Sequence, residues 1–193
     1  MRVLVGCEFS GTIRDQFLEQ GCDAYSCDLL PAYDGTRWHK NSRHFQQDVR
    51  HLLTPEYHWD LLIVHPPCTH LSYANYRFNP ILREESLEFV RFLLAAPVPH
   101  ICLENPRSVI DTLIMPRTQE IEPWQFGDPY RKPTWLWLKN LPRLERQFRV
   151  KPDTKRIHNG AHHAGFSRGM RRSITYPGIA AAMAKQWSVL PTA

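Results

Sequence analysis

Cys68 stands directly after Pro66 and Pro67, at the end of the apolar run in DLLIVHPPC. Two prolines restrict the backbone ahead of the cysteine, so a thiolate there could be aimed at an electrophilic carbon with little entropy left to lose. The alternative is an inert, half-buried thiol, and Cys7, Cys22, Cys27 and Cys102 are read that way because they lack such a context. Glu104 and Asn105 close a second apolar run, VPHICLEN. A glutamate so placed can hold a heterocycle through a ring nitrogen and an exocyclic amine, and when protonated it can donate to that nitrogen as the ring takes up charge. Asn105 followed by Pro106 is also good helix-capping chemistry, and both roles can hold together. His158, His162 and His163 share a stretch with Gly and Asn but without nearby cysteines, so no metal site is expected and loop or phosphate contacts are preferred. P-loop, nucleophile-elbow and complete dinucleotide signatures are missing, which removes kinase, hydrolase and dehydrogenase readings.

These groups need a scaffold that gathers strand ends. RVLVGCEF reads as a strand, Ser10-Gly11 as a turn, and TIRDQFLEQG as a helix closed by Gly21. CDAYSCDLL is a second apolar piece carrying Asp28, and residues 59–64 form the continuous apolar strand expected inside a parallel sheet. Residues 81–96 have helical apolar spacing, VPHICLEN is a further buried strand, and WLWL at 135–138 another. Pro177-Gly178 introduces the Ala-rich helix IAAAMAKQW, with Pro in its first turn. This alternation predicts an α/β fold. Ligands of such sheets lie beyond the carboxyl ends of the strands, so Glu8-Phe9-Ser10-Gly11, Asp28, Pro66-Pro67-Cys68 and Glu104-Asn105-Pro106 should share one rim.

A chain of 193 residues is the length of one ordinary domain, and 42% hydrophobic with 22% charged residues suits a globular one. Its apolar runs fall far short of the roughly 20 residues that cross a bilayer, so no membrane partner is expected. The start MRVLVGCEF has no cleavable signal pattern, and five cysteines without paired spacing fit a reducing cytoplasm. Residues 139–172 hold ten Lys and Arg against Glu145 and Asp153, a local +8 that leaves −3 for the rest of a chain of net charge +5. Such asymmetry points to an anionic partner, nucleic acid first, with a merely solvated basic loop as the alternative.

In their order, VGCEFSG, the acid Asp28, QDV at 47–49, DLLIVHPPCTHLS at 60–72 and LENP at 103–106 resemble the motif series of DNA (cytosine-5) methyltransferases, over roughly residues 1–110. The resemblance implies a Rossmann-like class I S-adenosylmethionine-dependent methyltransferase domain spanning 1–193, with 139–176 as a short basic appendage contacting nucleic acid. By the same resemblance Cys68 is the nucleophile toward carbon 6 of cytosine and Glu104, with Asn105, grips the ring. It also assigns Phe9, Ser10 and Gly11 to the methionine part of S-adenosylmethionine, Asp28 to the ribose, Asp48 to the adenine, and Pro66 and Pro67 to the cofactor's surroundings. Arg131 or Lys132, in YRKPTWLWL, takes the place of the family's arginine-rich motif and supports the ring.

The chain departs from the family in having only Gly6 and Gly11 around CEFS, Thr69 after Cys68 and Pro106 after Asn105. Small phage and prophage variants are more similar, through PWQFG at 123–127, Lys132-Pro133-Thr134 before LWL, and the final AMAKQW. For that final helix, packing against the sheet and contact with the cofactor stand as equal alternatives. Only 38 residues separate Leu138 from Pro177, so the family's target-recognition domain does not fit there. Lys155, Arg156, Arg168, Arg171 and Arg172 are expected to neutralise phosphates without reading sequence. The expected substrate is DNA, single-stranded or with the base flipped from a duplex, in a bacterial or phage-infected cell. The alternatives are a relative acting on a free pyrimidine nucleotide, on RNA or with a modified donor, and an idle DNA-binding relative.

Overall fold

Val3, Leu4 and Val5 have no solvent exposure because β1 (Arg2–Gly6) runs through the middle of a sheet covered on both faces. The computed structural model describes residues 1–74, 78–148 and 168–190. After β1 come α1 (Thr12–Glu19), β2 (Asp23–Asp28), the short strands β3 (Ala32–Tyr33), β4 (Trp38–His39) and β5 (His44–Gln46), and β6 (Leu61–Val64). There follow α2 (Pro80–Leu94), β7 (His100–Pro106), α3 (Ile110–Leu113), β8 (Gln119–Ile121), β9 (Thr134–Lys139), α4 (Arg168–Ser173) and α5 (Pro177–Trp187).

The main sheet has the order β5-β2-β1-β6-β7-β9-β8. β5, β2, β1, β6 and β7 are mutually parallel, β9 is antiparallel to β7, and β8 is antiparallel to β9. The order turns back between β1 and β6, the switch point at which a doubly wound sheet opens a crevice. The expected α/β, Rossmann-like architecture is therefore the one observed. One face is covered by α1 and α5, with Ile13, Phe17, Met183 and Trp187 packed on Val3, Val5 and Ile63. The other is covered by α2 through Leu87, Val90 and Leu93, together with Trp59 and Trp137. Burying each such side chain contributes about 1.5–3 kcal/mol before entropy is set against it. Among the described residues no helix is long and apolar enough to cross a membrane.

β7 continues through Asn105 and Pro106, which pair with Trp135 and Thr134 of β9, and α3 begins only at Ile110. The expectation that Asn105-Pro106 caps a helix is corrected. Because β9 runs opposite to β7, its first residue rather than its last lies at the carboxyl rim, and this brings Lys132 there. The final helix packs into the core with α1 through Ala180, Met183 and Trp187, which is the packing alternative. Gly178 lets it approach closely: a Cβ there would stand 2.1 Å from the Phe126 carbonyl oxygen.

Candidate active site

Register builds the rim. Gly6 pairs with Cys27 and with Val64, and Val64 pairs with Leu103. The next residue on each strand gives the row Asp28, Cys7, His65, Glu104 across four strand ends. Cys7 adopts a left-handed backbone (φ 57), which turns the chain out of β1.

Cys68 follows that row on a loop fixed from three directions. The buried Asn105 donates from Nδ2 to the Pro66 carbonyl at 2.9 Å. The Cys68 carbonyl accepts from the amides of Leu71 and Ser72 at 3.1 and 2.9 Å, and Leu71 is anchored in the core. Tyr73 donates its amide to the Arg107 carbonyl at 3.1 Å, tying the loop to the segment after β7. Asn105, expected among the catalytic residues, therefore holds the loop that carries Cys68 through Nδ2, while its Oδ1 is buried without a hydrogen-bond partner among the described residues.

Cys68 opens to solvent at the rim, but most of its surroundings are protein. That desolvation, then the Glu104 carboxylate, raises the thiol above its ordinary pKa, with Lys132 and Arg172 pulling the other way. Burial also opposes ionisation of Glu104, yet the His65 hydrogen bond and charge, with Lys132, outweigh it and leave the carboxyl below the ordinary glutamate value. Lys132 donates from Nζ to the Arg172 carbonyl at 2.7 Å, and its pKa is lowered, first by burial. Arg131, one residue earlier, is 54% exposed and turned to Glu122 at 3.6 Å, so of the two cations only Lys132 reaches Cys68 and Glu104. Arg172 lies beside Lys132 and Cys68; Lys155, Arg156 and the side chain of Arg168 lie outside the described residues, as do His158, His162 and His163.

Next to this row opens a cavity of about 680 Å³, the size of a small-molecule site. Asp28, Asp48, Pro67, Leu29 and, from α2, Phe89 and Phe92 line it. Asp28 accepts from the Leu30 amide at 2.9 Å, and burial raises its pKa. Asp48 accepts from the Arg50 amide and guanidinium, which lowers its pKa. Phe9, Ser10, Gly11 and Pro66 are not among the lining residues. Phe9 is drawn into an aromatic cluster with Tyr33 and Trp38, at ring separations of 6.5 and 5.5 Å. The Ser10 hydroxyl accepts from the Thr12 hydroxyl at 3.0 Å, and Gly11 lies under the Arg14 guanidinium. These contacts place the four residues away from the lining of this cavity.

The burial of Glu8 and Arg14 gave no distinctive signal in the sequence. Glu8 is 5% exposed and accepts from the amide of Ile13 at 2.8 Å, so a carboxyl of this chain takes the helix N-terminus that elsewhere binds anions. Burial raises its pKa. The buried Arg14 donates to the Ser26 hydroxyl at 2.8 Å and so spans α1 and β2. A polar residue between an apolar strand and Pro-Pro was the available clue to His65.

No family model matches the chain, and no curated protein does. Among solved structures it is similar to a prophage-encoded protein of E. coli assigned as a DNA modification methyltransferase, at 14% identity and TM-score 0.47, over 72% of this chain and 46% of that one. It is also similar to the Dnmt2 methyltransferase of S. pombe, at 17% and 0.49 over 74% and 51%. A mutant DNMT2 of Spodoptera frugiperda gives 16% and 0.42 over 78% and 54%. The chain spans about half the length of these proteins.

Proposed function

We propose that this chain transfers a methyl group from S-adenosylmethionine to carbon 5 of cytosine in DNA, through an adduct between Cys68 and carbon 6 of the base. The observation that carries the reading is the grouping of an accessible thiol, an ionised Glu104 and Lys132 beside an acid-lined cavity of nucleoside size. The lining fits the cofactor's adenosine part: the carboxylates of Asp28 and Asp48 are acceptors for hydroxyl and amino groups, and Phe89 and Phe92 offer ring faces. When bound, S-adenosylmethionine supplies an electrophilic sulfonium methyl.

Carbon 5 of cytosine is a poor nucleophile until carbon 6 has been attacked. Cys68 enters as a thiol and Glu104 as a carboxylate, a matched pair. The thiol proton passes to Glu104 and from Glu104 to ring N3 while the sulfur to carbon 6 bond forms, so the adduct carries no net charge. Lys132 stabilises the anionic stage of that exchange. Once carbon 5 carries the methyl, its proton is lost to solvent, the N3 proton returns through Glu104 to the Cys68 sulfur as the sulfur to carbon 6 bond breaks, and the product leaves with the thiol and the carboxylate restored.

The base is buried in a duplex, so it is flipped out or supplied single-stranded. Arg172, beside Cys68, and Arg171 contact the flanking phosphates, the role also assigned to Lys155, Arg156 and Arg168, and such contacts position DNA without reading it. The test is incubation with single- and double-stranded DNA, RNA and free cytidine nucleotides in the presence of a donor carrying a deuterated methyl, followed by nucleoside mass spectrometry. Labelled 5-methyldeoxycytidine is expected from DNA. Label in RNA or nucleotide alone, or in no base, overturns the reading.

A further inference from the structure

His65 stands beside Glu104 because Val64 pairs with Leu103 and each strand then extends by one residue. Its Nδ1 lies 3.3 Å from Glu104 Oε2, with the two side chains 10% and 16% exposed. The His65 amide donates to the Gly6 carbonyl at 3.1 Å, so the ring projects from backbone already fixed to β1. The other ring nitrogen, Nε2, is buried and has no hydrogen-bond partner among the described residues. Glu104 is therefore the group that fixes the orientation of the imidazole, and the imidazole in turn fixes one carboxyl oxygen.

We propose that His65 is the positioning residue of Glu104, holding Oε2 through its Nδ1–H so that Oε1 faces the target base. What Glu104 does to the base rests on the proposed function; the pairing does not. The charged and titratable groups around the pair come from every neighbouring element. Glu8, after β1, and Asp28, at the end of β2, lie within electrostatic reach of His65. Cys68 from the loop after β6, Cys102 within β7 and Lys132 before β9 act on Glu104. Burial opposes ionisation of Glu104, and the largest influence against burial is His65. Without the imidazole the carboxyl would lose both a fixed direction and its capacity to take the Cys68 proton. A merely structural histidine would leave the titration of Glu104 unmoved.

The test uses the full chain with side-chain carboxyl carbons of glutamate labelled, and Glu104 assigned by Glu104→Gln. In the wild type the Glu104 signal should titrate below the ordinary glutamate range. In His65→Leu it should move up by about one pH unit or more, the order expected when a hydrogen bond and a nearby charge are lost together. His65→Asn keeps an N–H near the Nδ1 place without the charge and should fall between. In parallel, methyl transfer should drop more than tenfold in kcat in His65→Leu, with KM for the donor little changed, and recover partly in His65→Asn. An unchanged Glu104 midpoint in His65→Leu, or in His65→Asn where the Leu variant does not fold, overturns the proposal. A shifted midpoint in a protein whose wild type transfers no methyl to any substrate upholds the pairing and overturns the proposed function.

Discussion

Replacing Gly178 with Ala sets two effects of opposite sign against each other. Alanine is the better helix former by about 0.5–1 kcal/mol, and Gly178 lies in the first turn of α5. The new Cβ, however, would sit 2.1 Å from the Phe126 carbonyl oxygen, 2.9 Å from its carbon and 2.8 Å from Asp128 Oδ2. The closest ordinary carbon–oxygen approach is about 3.3 Å, so α5 and the 123–127 turn must separate by roughly 1.2 Å. Overpacking of this kind costs about 1–3 kcal/mol. The separation also breaks the 3.0 Å bond from the Gly178 amide to Asp128, which as a bond to a carboxyl group is worth about 1.5–3 kcal/mol. The clash wins, and Gly178→Ala should destabilise by about 1.5–5.5 kcal/mol. Urea unfolding followed by tryptophan fluorescence would show this as a lower midpoint with an unchanged slope. A variant that unfolds at the same or a higher urea concentration would refute the interlock and leave helix propensity as the ruling effect.

Cys68→Ser should abolish methyl transfer while leaving S-adenosylmethionine affinity, measured by calorimetry, within twofold; persistent turnover would remove the covalent step. Glu8 has a folded-state pKa raised by burial, so the folded state holds more protons than the unfolded one, and stability must fall as pH climbs from the ordinary glutamate value to that higher folded value. Glu8→Gln should flatten this slope in urea midpoints measured against pH, and an identical slope in both proteins would assign it to another group. Changing Arg168, Arg171 and Arg172 together to Ala should weaken binding to unrelated DNA sequences alike and flatten log K against log salt by about 2 to 3 units, at roughly 0.9 per duplex phosphate contact. An unaltered salt slope would leave those charges a solubilising role.

The elements that could be read in advance are those with long apolar runs or sustained helical spacing. β6, α2, β7, β9 and α5 appear within a few residues of the ranges read from the sequence, because burial on both faces of a parallel sheet leaves a continuous apolar signature. Cys68 and Glu104 were legible for the same reason: each ends such a run. β3, β4 and β8 span two or three residues and carry no period. That omission displaced Phe9, whose aromatic partners Tyr33 and Trp38 come from β3 and β4. The choice between Arg131 and Lys132 needed the course of the chain into β9, and a one-residue step reverses the side to which a side chain points. Glu8 and Arg14 were hidden because charged residues in a turn are ordinarily solvated, whereas here they are 5% and 4% exposed.

The reversal of β9 also bears on how the protein is made. A chain emerging from its N-terminus presents Cys68 and Glu104 first, and the cations that face them, at 132 and 172, only after the parallel part of the sheet can already have paired. Until β9 inserts antiparallel between β7 and β8, the nascent domain holds a thiol and a carboxyl with no fixed positive charge beside them. The cationic side of the rim is thus completed only with residues 132 and 172, and a chain ending before residue 130 would expose the thiol on an unfinished sheet edge without the ammonium and guanidinium groups that temper it.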